Sequence, residues 1–422
     1  MSLPRSGPRA SGTLIDPGCG GAHCLLKPTA LYVYRDRSPL TGVPMSHPRV
    51  VVIGAGVLGL FTAYELTAAG VENVVVLEAS HPGDGSSGRS VGMVETQYLT
   101  YPDVQVRAYG REVYAALERD HDLHFVHGGY LRLGRQQADI TAFEQSLEHQ
   151  KACGVDDAVI LAPEDIAERW PHIVVDDLVA AQFGTWDGYV DGYAVSQLLA
   201  GIVKRRGATV VARAEVLSAE RIGETWRLDT AQGVFEADVV VNAAGPWAGH
   251  VGELLGAPVP LLPQLHGALT IELGAPQPFT PFVMDYVPGS GTDGVYFRSE
   301  RADQLIAGLH TDEAIKDPVS PDVPLGAMGM DQIERVITLL SERLVGADDM
   351  EIGRSWSGIY PMTPDHQPIA GWHRDAPGVV CALGAGGSGI QLSPAVGRLA
   401  AHAILGRPSD FEIDWSHERF AD

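Results

Sequence analysis

The pattern of apolar and polar positions begins with a strand, a helix and a second strand. The runs Val50–Ile53 and Val74–Leu77 are continuously apolar, as strands of a buried parallel sheet are. Between them, apolar residues recur at helical spacing from Gly56 to Ala69. Gly70 follows where a residue that closes a helix is expected. This segment therefore predicts a βαβ unit with two parallel strands.

The rest of the chain alternates between helical spacing and strand spacing. Further buried strands are predicted at Val239–Asn242 and Gly378–Leu383. A larger antiparallel sheet is predicted between residues 261 and 309, where apolar and polar residues alternate. Four segments predict a small antiparallel meander: Thr209–Val211, Glu215–Ala219, Trp226–Asp229 and Val234–Ala237. Helices are predicted at Tyr101–Asp120, Ala142–Lys151, Pro163–Trp170, Ala194–Arg205, Asp331–Leu344 and Ser393–Leu405.

These elements predict a mixed α/β (α+β) fold with two domains. Residues 46–95, 190–250 and 350–410 carry the buried strands and the helices of a Rossmann-type nucleotide-binding domain. Residues 96–189 and 251–349 carry most of the alternating strands and would form an inserted substrate domain with an antiparallel sheet.

A glycine turn joins the first predicted strand to the first helix. Gly54, Gly56 and Gly59 match the pattern GxGxxG, in which the glycines allow a tight turn, a close pyrophosphate and close helix packing. Glu78 ends the second strand, where an acid accepts hydrogen bonds from ribose hydroxyls. The turn predicts a dinucleotide, and the acid disfavours NADP because it would repel the 2′-phosphate. NAD and FAD both remain open at this point.

Composition narrows the class of partner. The 422 residues carry a formal net charge of −23, which argues against nucleic acid and anionic membrane surfaces. No apolar run reaches the ~18 residues that span a bilayer, so membrane insertion is not expected. The four cysteines form no metal spacing and favour a reducing cytoplasm. Residues 1–45 are interpreted as a disordered leader or as an extension upstream of a natural start at Met45, with a transit peptide as the alternative.

Three closely spaced histidines do not favour a metal site. His121, His124 and His127 are three residues apart, which would group them on a helix. The segment HDLHFVHGG leads toward a predicted strand, where the same spacing divides them between two faces. We therefore expect no metal.

Four stretches of sequence resemble segments of known flavoproteins. VVNAAGPWAG (240–249) resembles the second nucleotide-contacting turn of glutathione-reductase-type flavoproteins. SWSGIYPMTPDHQPIAG (355–371) and GVVCALGAGGSGIQLSPAVG (378–397) resemble the closing FAD segment of the D-amino-acid oxidase family. GVYFRSE (294–300) is similar to the branch of sarcosine oxidase and dimethylglycine oxidase. The resemblance implies a glutathione-reductase-type FAD-binding Rossmann domain and favours FAD over NAD.

The glycine turn, its acid and the segments that carry the resemblance give a predicted set of FAD contacts. The loop before the last helix would lie against the flavin ring, and its backbone N–H groups could stabilise charge on the reduced ring. The predicted contacts are Gly54, Ala55, Gly56, Val57, Leu58, Gly59, Glu78, Ser86, Ser87, Val216, Ala244, Gly245, Gly386, Gly387, Gly389, Ile390 and Gln391.

The resemblance also implies residues at the reacting centre. His266 and Tyr296 are the predicted catalytic residues, because they resemble active-site residues of that branch. Arg298 shares a strand face with Tyr296 and could meet a substrate carboxylate. Glu95 stands where several relatives have an arginine that grips the carboxylate. Either another arginine, such as Arg89 or Arg298, does that work, or the substrate presents a cation to Glu95.

The resemblance implies oxidation of the C–N bond of a small amine or N-methyl amino acid. In such a reaction hydride would pass to flavin N5, the imine would hydrolyse, and oxygen or an electron-transfer acceptor would take the electrons. Oxidation of a 2-hydroxy acid, flavin binding without turnover and an NAD-only dehydrogenase are the alternatives. FAD is expected to be noncovalent, because Trp356–Met362 has no cysteine and residues 85–92 have no histidine to anchor the ring. His81 is the nearest candidate anchor.

Overall fold

The computed structural model describes residues 48–286, 293–310 and 318–420. The chain separates into the units Met1–Ser46 and His47–Asp422, and the description below concerns the second. The predicted leader, residues 1–45, lies outside the described residues.

Strands and helices alternate along the described chain. The strands are β1 Val50–Ile53, β2 Val74–Leu77, β3 Met93–Val94, β4 Phe125–Val126, β5 Tyr130–Gly134, β6 Ala158–Leu161, β7 Ala180–Gly184, β8 Gly188–Val190, β9 Thr209–Val211, β10 Val216–Ile222, β11 Thr225–Thr230, β12 Gly233–Ala237, β13 Val239–Asn242, β14 Leu262–Glu272, β15 Phe282–Asp285, β16 Gly294–Arg301, β17 Gln304–His310, β18 Glu351–Met362, β19 Ile369–Trp372 and β20 Val379–Leu383. The α-helices are α1 Val57–Ala68, α2 Tyr101–His121, α3 Gln137–Ala152, α4 Pro163–Arg169, α5 Gly192–Arg205, α6 Ala248–Leu254, α7 Met330–Arg343 and α8 Gly389–Leu405. All the helices predicted from the sequence are present, with small shifts of their ends.

A six-stranded sheet has the order β19-β20-β13-β1-β2-β9. Its strands pair in parallel except for β19, which is antiparallel to β20. Strands β1 and β13 are buried along their whole length, as their continuous apolar runs predict. Helices α1, α5 and α8 supply apolar residues to the same core. The mixed α/β fold with a parallel sheet is therefore confirmed.

The prediction of a four-stranded meander is wrong for its first strand. Thr209–Val211 pairs in parallel with β2, and β10, β11 and β12 alone form the small antiparallel sheet. The reason is the preceding helix α5, which returns the chain so that the next strand runs in the same direction as β2.

An eight-stranded sheet has the order β18-β14-β17-β16-β15-β5-β7-β6. Its pairs are antiparallel except for β15 with β5. One face packs on helices α4 and α7 in a second apolar core. Residues 351–362 pair with β14 in this sheet. The sequence analysis instead assigns residues 350–410 to the nucleotide-binding domain. The division into domains stays a prediction.

The loops that follow β1, β2, β13 and β20 leave one edge of the six-stranded sheet. They begin at Gly54, Glu78, Ala243 and Gly384. The carboxyl ends of parallel strands share one edge, which is where open α/β sheets bind ligands. The fold therefore brings four separate segments of the sequence to one place.

Candidate active site

The glycine turn after β1 is fixed by close backbone contacts. Gly54 has φ +107°, and a Cβ there would stand 2.3 Å from the carbonyl oxygen of Ala243. A Cβ on Gly59 would stand 2.1 Å from the carbonyl oxygen of Gly54. Side chains at these two positions would push the turn away from β13 and from its own helix. The glycines thus allow the tight packing that the sequence pattern predicts.

Polar side chains complete this turn. The Glu78 carboxylate accepts hydrogen bonds from the backbone N–H of Ala55 at 2.8 Å and of Ser80 at 2.9 Å. The Ser87 hydroxyl accepts a hydrogen bond from the N–H of Val57, the first residue of α1, at 3.1 Å. Ser87 therefore satisfies one of the unpaired donors at the helix N-terminus, where phosphate groups bind in many proteins.

A cavity of about 550 Å³ adjoins the turn and is called the dinucleotide cavity below. Most of the predicted FAD contacts line it, although they come from five regions of the sequence, at 54–58, 78–87, 216, 244–245 and 386–390. They are Gly54, Gly56, Val57, Leu58, Glu78, Ser86, Ser87, Val216, Ala244, Gly245, Gly386, Gly387, Gly389 and Ile390.

Three predicted FAD contacts do not line this cavity. Gly59 packs closely against the carbonyl oxygen of Gly54, and the N–H of Ala55 donates a hydrogen bond to Glu78. Gln391 is buried on α8 and lies against Glu95. These residues hold the walls in place and do not form the surface.

The loop before α8 presents backbone to the cavity. Gly386 has φ +51°. A Cβ on Gly387 would come within 2.5 Å of the ring of Tyr360, so a larger residue would displace that ring. Helix α8 begins at Gly389, and its first N–H groups have no intrahelical partner. The loop can therefore offer donors to a negatively charged group.

A second cavity of about 730 Å³ shares part of its wall with the dinucleotide cavity and is called the substrate cavity below. The antiparallel sheet supplies much of its lining through β5, β14, β15, β16 and β18. The residues that line both cavities are Ser90, Val91, His266, Tyr296, Tyr360, Ala385, Gly386, Gly387 and Ile390.

The two predicted catalytic residues lie in this shared wall. The imidazole of His266 stacks on the ring of Tyr360, with 3.9 Å between the centroids and 16° between the planes. Tyr296 is buried and stacks on Phe282 with centroids 5.7 Å apart. Burial raises the pKa of Tyr296 well above its usual range and also raises the pKa of Tyr360. Both phenols are therefore protonated at neutral pH and able to donate a hydrogen bond.

Glu95 lines the substrate cavity, but its carboxylate already has partners. It is buried and accepts a short hydrogen bond from the backbone N–H of Gln97. Its Oε1 lies 3.8 Å from Nε of Arg107, and the Gln391 amide, turned to donate, places its nitrogen 3.3 Å from the same oxygen. These contacts compensate the negative charge within the protein.

Arg298 does not line either cavity. Its guanidinium pairs with the Glu300 carboxylate at 2.6 Å and lies 3.5 Å from the centroid of the Tyr189 ring. It also donates to the backbone oxygen of Val91 at 3.4 Å. Although Arg298 shares a strand face with Tyr296, its long side chain turns to Glu300 on the same strand. The structure therefore does not bring it to the site.

Several cavity residues escaped the sequence analysis. Tyr360 lies in the stretch 355–371, which entered the sequence analysis through its family resemblance. The alternation of side chains between the two faces of β18 was the signal that could have pointed to Tyr360. Arg132 stands between Leu131 and Leu133 in an otherwise apolar strand. A charged residue at such a position is a signal that pattern reading alone could have used.

The comparisons with known proteins agree with this geometry. A family model described as FAD dependent oxidoreductase (DAO) matches residues 49–403. The chain belongs to this family of FAD-dependent oxidoreductases. The resemblance seen in the sequence is thereby confirmed at the level of the family.

Individual members of the family match most of this oxidoreductase chain. Human mitochondrial dimethylglycine dehydrogenase is 28% identical over 86% of the chain, and mouse mitochondrial sarcosine dehydrogenase is 26% identical over 89%. The chain spans only 43% and 42% of the lengths of these two relatives. Glycine oxidase of Bacillus subtilis is 26% identical over 88% of the chain and 96% of its own length.

A solved structure of L-proline dehydrogenase from P. horikoshii has a TM-score of 0.77 and 25% identity. It covers 88% of this chain and 97% of its own. A glycine oxidase structure from Geobacillus kaustophilus, at 22% identity and a TM-score of 0.73, shows the same fold over 89% of this chain and 99% of its own.

The residues of this flavoprotein fit FAD. The glycine turn leaves room beside Gly56, where a Cβ would meet only the Ser87 hydroxyl, at 3.2 Å. Glu78 and Val216 line the same cavity as the backbone of Gly386 and Gly387, so one elongated molecule could touch all of them.

Two further features concern other ligands and membranes. His127, one of the three histidines considered for a metal, bonds to the Glu118 carboxylate and to the carbonyl of Trp186, each at 2.9 Å. Over the described ranges, no group of three potential ligands is arranged to hold a metal ion. Within the same ranges, no helix has the length and apolar character needed to cross a membrane.

Proposed function

We propose that this chain holds FAD noncovalently and oxidises the C–N bond of a small amine or N-methyl amino acid. The resulting imine would hydrolyse. The observation that carries this proposal is the wall shared by the two cavities, which contains His266, Tyr296 and Tyr360. A molecule in the substrate cavity would meet the residues that also face the proposed cofactor. Bound FAD supplies an acceptor for the hydride from the carbon next to the amine nitrogen.

The residues of the shared wall have complementary roles in this proposal. His266 would take the proton that an ammonium must lose before the nitrogen can share its electron pair with the carbon. Tyr296 keeps its proton because it is buried, and it would orient the substrate by donating a hydrogen bond. The stack of His266 on Tyr360 fixes the plane of the imidazole, which helps to place the substrate productively.

Noncovalent attachment is supported by the position of His81, the nearest candidate anchor in the sequence, and by the positions of the described cysteines. Neither His81 nor the two described cysteines, Cys153 and Cys381, belongs to that lining. His81 bonds to the Ser80 hydroxyl at 2.9 Å and lies near Asp84. Acid precipitation of the purified protein tests this part. The yellow colour should stay in the supernatant, and colour in the washed precipitate would contradict noncovalent attachment.

Anaerobic mixing tests the reaction. Sarcosine, dimethylglycine, glycine and proline, which occur in the names of relatives and structural neighbours, would be compared with the matching 2-hydroxy acids. We expect at least one amine to bleach the flavin. Bleaching by hydroxy acids alone would replace the proposal with 2-hydroxy acid oxidation, and no bleaching by either class would favour binding without turnover. Reoxidation by oxygen or by an added dye then identifies the acceptor.

The variant His266→Ala tests the catalytic assignment. It should slow flavin reduction by about a hundred-fold or more, the usual contribution of general acid–base catalysis. The flavin content should remain near that of the unchanged protein, because the phosphate turn is untouched. Equal loss of flavin and activity would show that His266 supports the cofactor site instead.

A further inference from the structure

Arg132 has an unusual position in the antiparallel sheet. It lies on β5 between Leu131 and Leu133, which both pack into the second apolar core. Successive residues of a strand point to opposite faces, so Arg132 and Tyr130 point away from that core. Both residues line the substrate cavity, and Arg132 is only 3% exposed.

Among the described residues, no carboxylate forms an ion pair with Arg132, although the Glu95 carboxylate of the same cavity attracts its charge from farther away. Its guanidinium donates two long hydrogen bonds, each of 3.3 Å, to the backbone oxygen of Tyr286 and the hydroxyl of Tyr130. Its Nε–H has no partner in the described part of the chain. An arginine keeps its charge when it is buried, and an unpaired buried charge is costly. The side chain therefore has unused capacity to bind an anion.

The other arginines at this cavity are already paired. Arg107 pairs with Asp103 at 3.3 Å, lies 3.8 Å from Glu95 and stacks on the ring of Tyr98. Arg335 pairs with Asp293 at 3.0 Å and is 45% exposed. Neither guanidinium combines burial with the lack of a described carboxylate partner.

We propose that Arg132 binds the carboxylate of an amino acid substrate in the substrate cavity, with the Tyr130 hydroxyl beside it. The inference rests on the proposed oxidation of a small amine and narrows it to amines that carry a carboxylate. It also explains how such a substrate is held although Glu95 stands at the expected position of an arginine and Arg298 pairs with Glu300. A guanidinium suits this ligand because it can donate two parallel hydrogen bonds to a carboxylate.

Equilibrium binding to the oxidised holoenzyme tests the proposal independently of turnover. Acetate and its neutral counterpart acetamide would be titrated while the flavin absorbance or the heat of binding is followed. Acetate should bind and acetamide should bind far more weakly. In Arg132→Met the dissociation constant for acetate should rise by about 30-fold or more, since losing one partner of a buried charge pair has that effect.

Two further variants keep the test decisive. Arg132→Lys retains the charge but not the paired donors, so acetate should bind at an intermediate strength. Arg335→Met removes a paired and more exposed arginine of the same cavity and should change acetate binding less than three-fold. An unchanged dissociation constant for acetate in Arg132→Met would overturn the proposal. So would a parallel loss of acetate and acetamide binding in both Arg132 variants, because it would show a structural role.

Reduction kinetics separate this inference from the proposed function. For an amino acid and its amide, Arg132→Met should weaken the apparent affinity of the acid while reduction by the amide persists. If amines reduce the flavin but the variant retains its preference for the acid, the proposed function stands and the role of Arg132 fails. If no amine reduces the flavin, the proposed function fails, and the acetate titration still decides whether Arg132 binds carboxylates.

Discussion

The two adjoining cavities are built in different ways. Loops that follow parallel strands form much of the wall of the dinucleotide cavity, and they present backbone and small residues. Side chains of β5, β14, β15, β16 and β18 form much of the wall of the substrate cavity. A backbone wall depends on the close approach of glycines, whereas a side-chain wall depends on strand register and on how buried charges are compensated. Substitutions should therefore act differently on the two cavities.

The largest effect is expected from Gly56→Leu in the backbone wall. A Cβ at this position meets the Ser87 hydroxyl at 3.2 Å, and the rest of a leucine would enter the space proposed for the pyrophosphate. The purified variant should contain almost no flavin, as measured by absorbance relative to protein. Gly249→Leu is a matched control, because a Cβ there meets nothing within 4 Å. Full flavin occupancy in Gly56→Leu would show that the dinucleotide cavity does not depend on the close approach of the glycine backbone.

The next effect concerns the charges that hold the antiparallel sheet. Arg343 and Asp285 are both buried, and their side chains pair at 2.9 Å. Arg343→Met should lower the free energy of unfolding by about 3–5 kcal/mol, since it leaves a buried carboxylate undercompensated. Chemical denaturation followed by circular dichroism measures this change. The exposed pair of Arg227 with Asp229 is the control, and Arg227→Met should cost less than about 1 kcal/mol.

A buried carboxyl group near Glu95 should make stability depend on pH. Burial, with a smaller contribution from Glu95, raises the pKa of Asp187 to about 8. The unfolded chain loses this proton above its usual pKa of about 3.9, whereas the folded protein keeps it until about pH 8. The group therefore lowers stability as the pH rises between these values, by about 1.4 kcal/mol per pH unit.

Asp187→Asn checks this sign. The variant should gain stability relative to the unchanged protein as the pH rises from 5 to 8, with denaturation midpoints measured at each pH. A constant difference between the two proteins across that range would mean that Asp187 is ionised in the folded state. In that case the folded protein would carry a second negative charge near Glu95.

The smallest effect is expected from a side chain in the backbone wall. Ser87→Ala removes the hydroxyl that accepts from the N–H of Val57 at the start of α1. Loss of such a cap costs about 1 kcal/mol, and FAD affinity should fall only moderately because the glycine turn remains. Flavin dissociation measured by fluorescence tests this. Loss of flavin as complete as in Gly56→Leu would show that the serine, and not the backbone, holds the phosphates.

The sequence analysis was most successful where a site is continuous in the chain. The strand Val50–Ile53, the turn from Gly54 to Gly59 and the acid Glu78 form one βαβ unit whose spacing is set by local geometry. Apolar periodicity also placed helices such as α5 and α7, because each of these two buries one face. The direction of a long side chain was harder to predict, because it depends on which partner comes within reach. Arg298 shares a strand face with Tyr296, yet it pairs with Glu300 and lies outside both cavities.

The parallel sheet and the dinucleotide turn could be predicted from the sequence, because each is encoded in short runs with fixed spacing, and the family followed from the resemblance of longer stretches. The set of side chains that share the substrate cavity could be found only from the fold. His266 on β14, Tyr296 on β16 and Arg132 on β5 meet because of strand order and register. Strand order is set by long-range pairing, and the pairing of each buried charge depends on which neighbour comes within reach. For this reason Glu95 has close partners, whereas the Nε–H of Arg132 has none among the described residues.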